Sequence, residues 1–473
     1  MSTRRIMLYA VVAFGLMAAG CAEVDDEDDA GAGSTTSIVA DATTEADATD
    51  TGGTSEAADT GETSEPGDTT GGGADADAAL AWALDYTGGS GGAAAGEPIK
   101  IGVASNASFF PEIEEGAEIA AEFVSEELGG VDGRPIQLET CLVVTAEDGA
   151  TCGAQFANDD NIVLVVTGSM LAGNEDLFAS VAGSKPAYVV DPVTVADYTA
   201  TDAISYNTAA LGAAMGGGLW LSEDVQPARA ALVITDDAAG RGAITLLQPV
   251  LEDAGIELAP VFVPPTATAP EIESALRSID PGPDDAILLG LFQQGCIAAY
   301  DALANLGIDA TTQTVATTYA CWGPRMQEHV ANTGEPGLLP DGWYFANPLG
   351  YKLFGSDLES GLDTYTLAVE AAGAQEKMSV PGLAESFAAL MSMTRHLNAV
   401  DGDYSFATLD AEIRGFTGPA MLQAGPIACG APPLFTGVCS TRVSIHRYVD
   451  GDWEDVRTGD DLIDISPVVM QEG

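Results

Sequence analysis

Residues 97–138 read EPIKIGVASNASFFPEIEEGAEIAAEFVSEELGGVDGRPIQL, and this stretch decides the fold class. The apolar run at 99–103 is typical of a strand buried on both faces, and a short polar loop follows it. Apolar residues then recur at helical spacing as far as Val124, with acids in the first turns, where the helix dipole favours them. Gly129 and Gly130 end that helix, and a second strand begins at Arg134. The stretch predicts one strand–loop–helix–strand unit.

The rest of the chain repeats this alternation. Further strands are predicted at 162–167, 187–190, 230–235, 256–263, 286–291 and 313–317, with helices between them. The pattern predicts an α/β fold of two doubly wound parallel-sheet lobes with a ligand cleft between them. Ligands of such sheets bind at the carboxyl ends of the strands, so the loops after Val103, Thr167 and Val190 should converge on one rim.

The predicted lobes are built from separate stretches of the 473 residues. We expect residues 97–212 together with about 346–428 in the first lobe, and 213–345 in the second. Residues 429–473 contain a predicted hairpin around Asp450-Gly451-Asp452, and the sequence assigns this segment to neither lobe.

The N-terminus reads as an export signal. Arg4 and Arg5 precede an apolar run, and Ala18-Ala19-Gly20-Cys21 resembles a bacterial lipobox, so residues 1–20 are a predicted signal peptide and Cys21 a lipidation site. A transmembrane anchor is the alternative, but the run is short for a bilayer span. Residues 22–96 hold 18 acids and no Lys or Arg, which predicts a disordered acidic tether. Within it, residues 78–86 are the one part able to form a helix or dock.

The formal net charge of −56 is not confined to the tether, since 54 of the 72 acids and 14 of the 16 Lys and Arg residues lie outside residues 1–96. Nucleic acid and anionic membrane surfaces are poor partners for a field of this sign. An acidic surface suits a protein adapted to salty surroundings, and a role in attracting cations is the other interpretation.

Six cysteines remain after Cys21 and admit 15 pairings. Proximity in the sequence favours Cys141 with Cys152, Cys296 with Cys321, and Cys429 with Cys439. A metal site would need C-x-x-C spacing or histidine partners, and the three histidines are isolated at positions 329, 396 and 446. We therefore predict structural disulfides in an oxidising compartment, with no metal and no cofactor.

An ordered set of motifs resembles a known family. It comprises Ile99–Gly102, Gly116–Ala120, Gly129–Ile136, Asp237–Gly242 and Phe416–Pro419. In this order and behind a lipoprotein signal, the set resembles the type I periplasmic binding proteins, specifically the branched-chain amino-acid-binding group of ABC transporter solute receptors. The resemblance implies two lobes that close on a small ligand and present it to a membrane permease.

The resemblance also implies ligand residues. Hydroxyl and backbone groups after the fourth strand of the first lobe map to Ser169 and Met170, the next loop to Thr194, and an aromatic of the second lobe to Phe292. Loop positions add Ser105, Asn106, Ser108, Phe109, Phe110, Gln293 and Tyr319 as candidates. Each has a structural alternative: Ser169 and Thr194 can cap helices, and the aromatic residues can belong to the core.

Three departures from the family bear on the ligand. The first loop is shorter than usual, Ala239 stands where the family has an aromatic, and the acid that would meet a ligand ammonium falls near Thr318 or Tyr319, which are uncharged. A cleft without that carboxylate would leave an ammonium without a partner. The sequence thus favours an amide, a carboxylate or an aromatic compound over a standard aliphatic amino acid.

The leading hypothesis is a monomeric, lipid-anchored protein on the outer face of the cytoplasmic membrane. It would capture a small polar organic ligand (amino-acid-like, amide or carboxylate) and deliver it to an ABC permease. A sensing receptor of the same fold is the alternative. An enzyme is disfavoured, because the one G-x-S-x-G match, at 88–92, lies in the tether without a preceding strand.

Overall fold

Two sheets organise the part of the chain that the computed structural model describes, namely residues 75–108, 110–334, 337–349, 357, 359–431 and 435–469. The predicted signal peptide, Cys21, the tether up to residue 74 and Phe109 lie outside the described residues. Within the described ranges, no helix combines the length and the apolar character needed to cross a membrane.

The first sheet has five parallel strands in the order β2-β1-β3-β4-β5. They are β1 (Ile99–Ser105), β2 (Ile136–Leu142), β3 (Ile162–Thr167), β4 (Ala187–Val189) and β5 (Ala203–Ile204). Strand β1 is central because it pairs with β2 on one side and with β3 on the other. Its residues Ile99, Ile101 and Val103 are fully buried, as the apolar run predicted.

The second sheet follows the order β12-β11-β10-β9-β8-β6-β7, with β13 paired to β11. Its strands are β6 (Arg229–Thr235), β7 (Glu257–Val263), β8 (Ala286–Gly290), β9 (Val315–Thr318), β10 (Tyr344–Asn347), β11 (Arg442–Val449), β12 (Asp452–Arg457) and β13 (Ile463–Asp464). Strands β6 to β10 are parallel, whereas β11 runs antiparallel to β10. The predicted C-terminal hairpin is therefore β11–β12, and it extends the second sheet.

Helices cover both sheets. They are α1 (Ala76–Thr87), α2 (Pro111–Glu126), α3 (Ala146–Asn158), α4 (Asn174–Val181), α5 (Val195–Thr199), α6 (Ala209–Trp220), α7 (Ala238–Asp253), α8 (Ala269–Ile279), α9 (Gln293–Leu306), α10 (Pro324–Thr333), α11 (Leu362–Ala371), α12 (Pro381–Ala399), α13 (Phe406–Gly415) and α14 (Ser466–Val469). Helix α7 begins directly after Asp237, which caps it by accepting the Gly240 N–H.

Helices α2 and α12 pack closely across the first lobe. A Cβ on Gly116 would lie 2.3 Å from the Leu383 carbonyl oxygen, so this approach requires glycine. Pro111 occupies the first turn of α2, where a missing N–H costs nothing. The contact matters for the site because it holds the start of α2 against the start of α12.

The tether is shorter than the sequence predicted. Helix α1 docks on α11 and α12 through the Thr364 hydroxyl, which donates to the Ala79 carbonyl, and through Arg395, which donates to the Tyr86 carbonyl. Residues 88–96 also join the fold, since the Gly91 and Gly92 N–H groups donate to backbone carbonyls at 127–128. The expectation of a disordered tether up to residue 96 is wrong from residue 75 onward, because tertiary contacts order this segment.

In the part of the chain that the structure describes, the backbone passes between the two sheets three times: after β5, after β10 and before β11. These crossings lie side by side. The first and third are joined at Ser205, whose backbone bonds to Gly437 and Cys439. The second and third are joined where the Ser444 hydroxyl donates to the carbonyls of Asn347 and Leu349. Adjacent crossings of this kind form a hinge about which two lobes can close.

Three disulfides occur, Cys141–Cys152, Cys296–Cys321 and Cys429–Cys439, and they have the pairing that sequence proximity favoured. The first joins β2 to α3, and the third lies within the third hinge crossing. The second joins the first turn of α9 to the short 3-10 turn Tyr319–Cys321. Both segments face the first lobe, so this disulfide lies beside the cleft.

Candidate functional cleft

The cleft is built around Asp191, which follows β4 at the carboxyl end of the first sheet. Its Oδ2 atom accepts a 2.6 Å hydrogen bond from the Ser169 hydroxyl, which follows β3 in the same way. Its Oδ1 atom accepts a 2.9 Å bond from the Tyr319 hydroxyl, which belongs to the second lobe. Burial raises the pKa of Asp191 despite these two donors. One carboxylate thus connects the facing rims of the two lobes.

Two further contacts cross the cleft. The Phe110 ring meets the Phe292 ring edge-on, with centroids 6.3 Å apart. The Gln327 side-chain amide on α10 donates a 2.8 Å bond to the Ser379 hydroxyl, just before α12. Together with the Tyr319–Asp191 bond, these contacts hold the two lobes in a closed arrangement.

Glu385 on α12 is a second acid of the cleft and is only 2 % exposed, whereas Asp191 is partly buried. Its Oε1 atom accepts a 2.6 Å bond from the Asn207 side-chain amide in the first hinge crossing, while Oε2 has no hydrogen-bond partner. Burial, and then the charge of Asp191, raise the pKa of Glu385 well above its ordinary value. The Tyr319 hydroxyl also affects this pKa, so the tyrosine lies near both acids.

Glu112 on α2 is the third acid of this region. Burial raises its pKa, the charges of Asp191 and Glu115 add to the effect, and Arg325 on α10 opposes it. Arg325 is exposed on the second lobe, so its charge reaches Glu112 from across the cleft. The local field is therefore dominated by carboxyl groups.

Of the candidates in the first loop, Ser105 and Asn106 are buried and Ser108 is exposed. The Ser105 hydroxyl donates a 2.7 Å bond to Glu114 on α2. The Asn106 side-chain oxygen is buried without a hydrogen-bond partner, although its backbone carbonyl accepts the Phe110 N–H. The loop therefore contributes an unsatisfied acceptor as well as the ring of Phe110.

The remaining candidates divide into two groups. Ser169, Tyr319 and Phe292 come together at the cleft, as described. Met170 packs its side chain into the first-lobe core, and the Thr194 hydroxyl bonds to Asp197 as the cap of α5, the alternative role left open above. Gln293 opens α9 with its side chain lying against Gly323. Whether any of these groups touches ligand stays a prediction.

The sequence reasoning missed the three residues Asp191, Glu385 and Asn207. It looked for an acid only near Thr318 and Tyr319, which are indeed uncharged, whereas the acids near Tyr319 come from the first lobe. Asp191 directly follows a predicted strand, and Glu385 is an acid within an apolar helical pattern. Both signals were present in the sequence.

No grouping of three or more His, Cys, Asp or Glu side chains within the described ranges is arranged to hold a metal ion. The histidines there have other partners: His329 bonds to Asp301, and His396 to Tyr206. Burial lowers the pKa of His396 to about 4, so it is neutral at physiological pH.

Two α/β lobes of mainly parallel strands, joined by three crossings, define the type I periplasmic-binding-protein fold. Residues 98–347 match the family described as periplasmic binding protein. Since the match covers more than half of the chain, this protein belongs to the periplasmic binding protein family. No curated protein sequence matches the chain.

Solved structures share the fold at low sequence identity. A fatty acid ABC transporter substrate-binding protein from Thermomonospora curvata is 15 % identical (TM-score 0.62), covering 80 % of this chain and 95 % of that one. A solute-binding protein from R. palustris in complex with 4-hydroxybenzoate is 14 % identical (TM-score 0.62; 77 % and 98 % covered). A leucine-binding protein from Thermotoga maritima is 13 % identical (TM-score 0.60; 78 % and 99 % covered).

Proposed function

We propose that the chain is an extracytoplasmic solute-binding lipoprotein of an ABC transporter. It captures a small polar organic molecule by closing its two lobes and delivers that molecule to the permease. The observation that carries the proposal is the Tyr319–Asp191 hydrogen bond, which joins residues of opposite lobes at the carboxyl ends of their strands. This is the edge at which ligands of parallel sheets bind.

The relatives support the transport role but do not select a ligand, because their titles name a fatty acid, an aromatic acid and leucine on one fold. Selection must come from the side chains of the cleft. Here the buried unsatisfied atoms of Asn106 and Glu385 are both acceptors, so they favour a ligand that donates hydrogen bonds. Among the predicted classes, an amino-acid-like compound or an amide fits better than a carboxylate.

The anchoring part of the proposal is carried by the sequence alone. Lipidation at Cys21 and an acidic tether would keep a monomeric receptor near its permease while the lobes remain free to close. The described body begins at residue 75, so the tether would span about 50 residues, which gives it ample reach.

The proposal includes no catalytic step, because the cleft presents carboxyls, hydroxyls and aromatic rings without a nucleophile–base pair. The Ser169 hydroxyl is bonded to an acid and not to a histidine. This arrangement suits reversible binding.

Thermal unfolding and small-angle X-ray scattering of the full chain test the proposal together. A bound solute should raise the melting temperature, because it binds only the folded state, and should lower the radius of gyration as the lobes close. The panel should include amino acids, amides, amines, urea, and aromatic and fatty acids. If no compound changes either quantity, the proposal of solute capture is contradicted.

A further inference from the structure

The closed cleft contains two acids that lack a cationic partner. Asp191 receives hydrogen bonds from two neutral hydroxyls, and Glu385 receives one from a neutral amide. Neither acid takes part in any of the ion pairs found among the described residues. The nearest acids therefore repel one another without compensation.

Such an arrangement is costly. An ionised carboxylate taken out of water needs a paired charge or several donors, and a second carboxylate beside it adds repulsion. A protein gains no stability from placing two of them in one cleft. The arrangement is explained if a ligand supplies the missing positive charge.

The unsatisfied atoms indicate what such a ligand offers. Glu385 Oε2 and Asn106 Oδ1 are buried, and each lacks a hydrogen-bond partner. Asn106 follows β1 and Asp191 follows β4, so both belong to the rim at the carboxyl ends of the first sheet. Two buried acceptors without donors, together with uncompensated acids, match a group that carries several N–H bonds and a positive charge.

We propose, building on the proposed function, that Asp191 and Glu385 form the recognition site for a protonated nitrogen group of the ligand, an ammonium, amidinium or guanidinium. The group pairs with both carboxyls and satisfies Glu385 Oε2. Tyr319 and Ser169 are positioning residues, because their hydroxyls orient the Asp191 carboxylate. In the family that this chain resembles, the acid lies near the position of Tyr319. In this chain the Tyr319 hydroxyl instead donates a hydrogen bond to Asp191, an acid of the opposite lobe.

Other ligand classes fit the same atoms less well. A carboxylate would add a third negative charge to the pair, and Arg325 is exposed and faces Glu112. A neutral amide can donate to Glu385 Oε2 but leaves the charge of the carboxyls uncompensated. The facing rings of Phe110 and Phe292 offer an apolar wall for the ligand's carbon skeleton.

Charge-matched compounds separate these classes. Benzamidine, benzamide and benzoate share one planar skeleton and differ in charge, and butylammonium, butylguanidinium, butyramide and butyrate form an aliphatic series. Each is added to the full chain, and thermal unfolding is recorded for wild type, Asp191→Asn, Glu385→Gln and the control Asp197→Asn. Asp197 is buried like Glu385, and Asn174 and Thr194 satisfy its carboxylate with hydrogen bonds.

We expect at least one cation to raise the melting temperature of wild type and of the control. The affinity should fall about 30-fold or more in Asp191→Asn and Glu385→Gln, because a desolvated charge pair loses one member. If an amide or a carboxylate stabilises the protein and no cation does, solute capture stands and the cation site is overturned. If none of the cations acts on wild type, the cation site is likewise overturned.

The ligand-free protein supplies a second readout. Glu385→Gln should raise the melting temperature of the empty chain, because it removes an uncompensated acid while keeping an acceptor for Asn207. Asp197→Asn should lower it, because Asp197 caps α5. A loss of stability in Glu385→Gln as large as that in the control would show that the acid is structural and would overturn the inference.

Discussion

The two rims of the cleft are built by different means. The first-lobe rim is rich in oxygen, with Asn106, Ser169 and Asp191 after successive strands and Glu385 behind them. The second-lobe rim presents Phe292 and Tyr319 on segments that the Cys296–Cys321 disulfide joins directly. We propose that the first rim carries the chemical recognition and that the second supplies shape and a covalently fixed edge that closes over it.

The two rims of this chain should respond differently to substitution. A rim of side-chain oxygens can be changed one residue at a time without moving the backbone. A rim fixed by a disulfide preserves the closing surface while recognition changes opposite it. Substitutions on the two sides should therefore have distinguishable consequences.

The largest expected effect comes from removing the disulfide of the second rim. The double variant Cys296→Ser, Cys321→Ser removes a disulfide between residues that are 25 positions apart in the sequence. Because the unfolded chain is then less constrained, we expect the free energy of unfolding to fall by about 3 kcal/mol. Ligand affinity should fall too, because Phe292 and Tyr319 lose their fixed spacing. Denaturant unfolding and calorimetry measure the two quantities.

The matched control is Cys141→Ser with Cys152→Ser, whose separation is 11 residues. That disulfide joins β2 to α3, which carry none of the candidate ligand residues. This double variant should show a similar decrease in the free energy of unfolding and should keep its affinity for the ligand. Equal losses of affinity in both double variants would contradict the role assigned to the second rim.

The next largest effect should follow from Tyr319→Phe. The variant removes the hydroxyl that donates to Asp191 across the cleft, and a hydrogen bond to a charged group contributes about 2 kcal/mol. Affinity should therefore fall about 30-fold, with a larger radius of gyration in the presence of ligand. Tyr300→Phe is the control, because its hydroxyl bonds to Thr333 on the exposed surface. An unchanged affinity in Tyr319→Phe would remove the tyrosine from the site.

A smaller effect is expected for Phe292→Ala. The ring contact with Phe110 contributes about 1 kcal/mol beyond the area that it buries. Affinity should fall several-fold through a faster dissociation rate, measured by stopped-flow mixing. Phe262→Ala removes an exposed ring of the same lobe and should leave the rate unchanged. If the ligand dissociates from Phe292→Ala at the wild-type rate, the ring pair does not hold the cleft closed.

Much of the fold could be predicted because buried strands carry their signal locally. The predicted strand at 162–167 coincides with β3, and each apolar run placed in the first lobe is a strand. Residues 78–86 were identified as able to form a helix, and they lie in α1. The end of the tether could not be predicted, since α1 is ordered by contacts with residues about 300 positions away. The lobe of the C-terminal hairpin depends on the pairing of β10 with β11, whose residues lie about 100 positions apart in the sequence.

The cleft was only partly predictable for the same reason. Ser169 and Tyr319 follow strands, and strand ends identify a rim from the sequence. Their shared partner Asp191 and the bond between Asn207 and Glu385 depend on how the lobes and the hinge come together. An acid inside an apolar helix was the available sign that Glu385 is special.

The pH dependence of ligand affinity tests the central claim, that a carboxyl pair receives a cation. Burial raises the pKa values of Glu385, Asp191 and Glu112. The other titratable or charged groups that interact with these acids are Tyr319, Tyr188, Tyr198, Glu115 and Arg325. At low pH, protons therefore compete with a cationic ligand. These carboxyl pKa values are higher in the folded state than in the unfolded state. The ligand-free protein should therefore also become less stable as pH rises from the lower value to the higher one.

The most direct measurement is calorimetric affinity for the most stabilising cation between about pH 5 and pH 9, in wild type and Glu385→Gln. Wild-type affinity should strengthen as pH rises through the raised pKa of Glu385, with a shallower dependence in the variant. An affinity that is constant with pH, or that strengthens as pH falls, would contradict it.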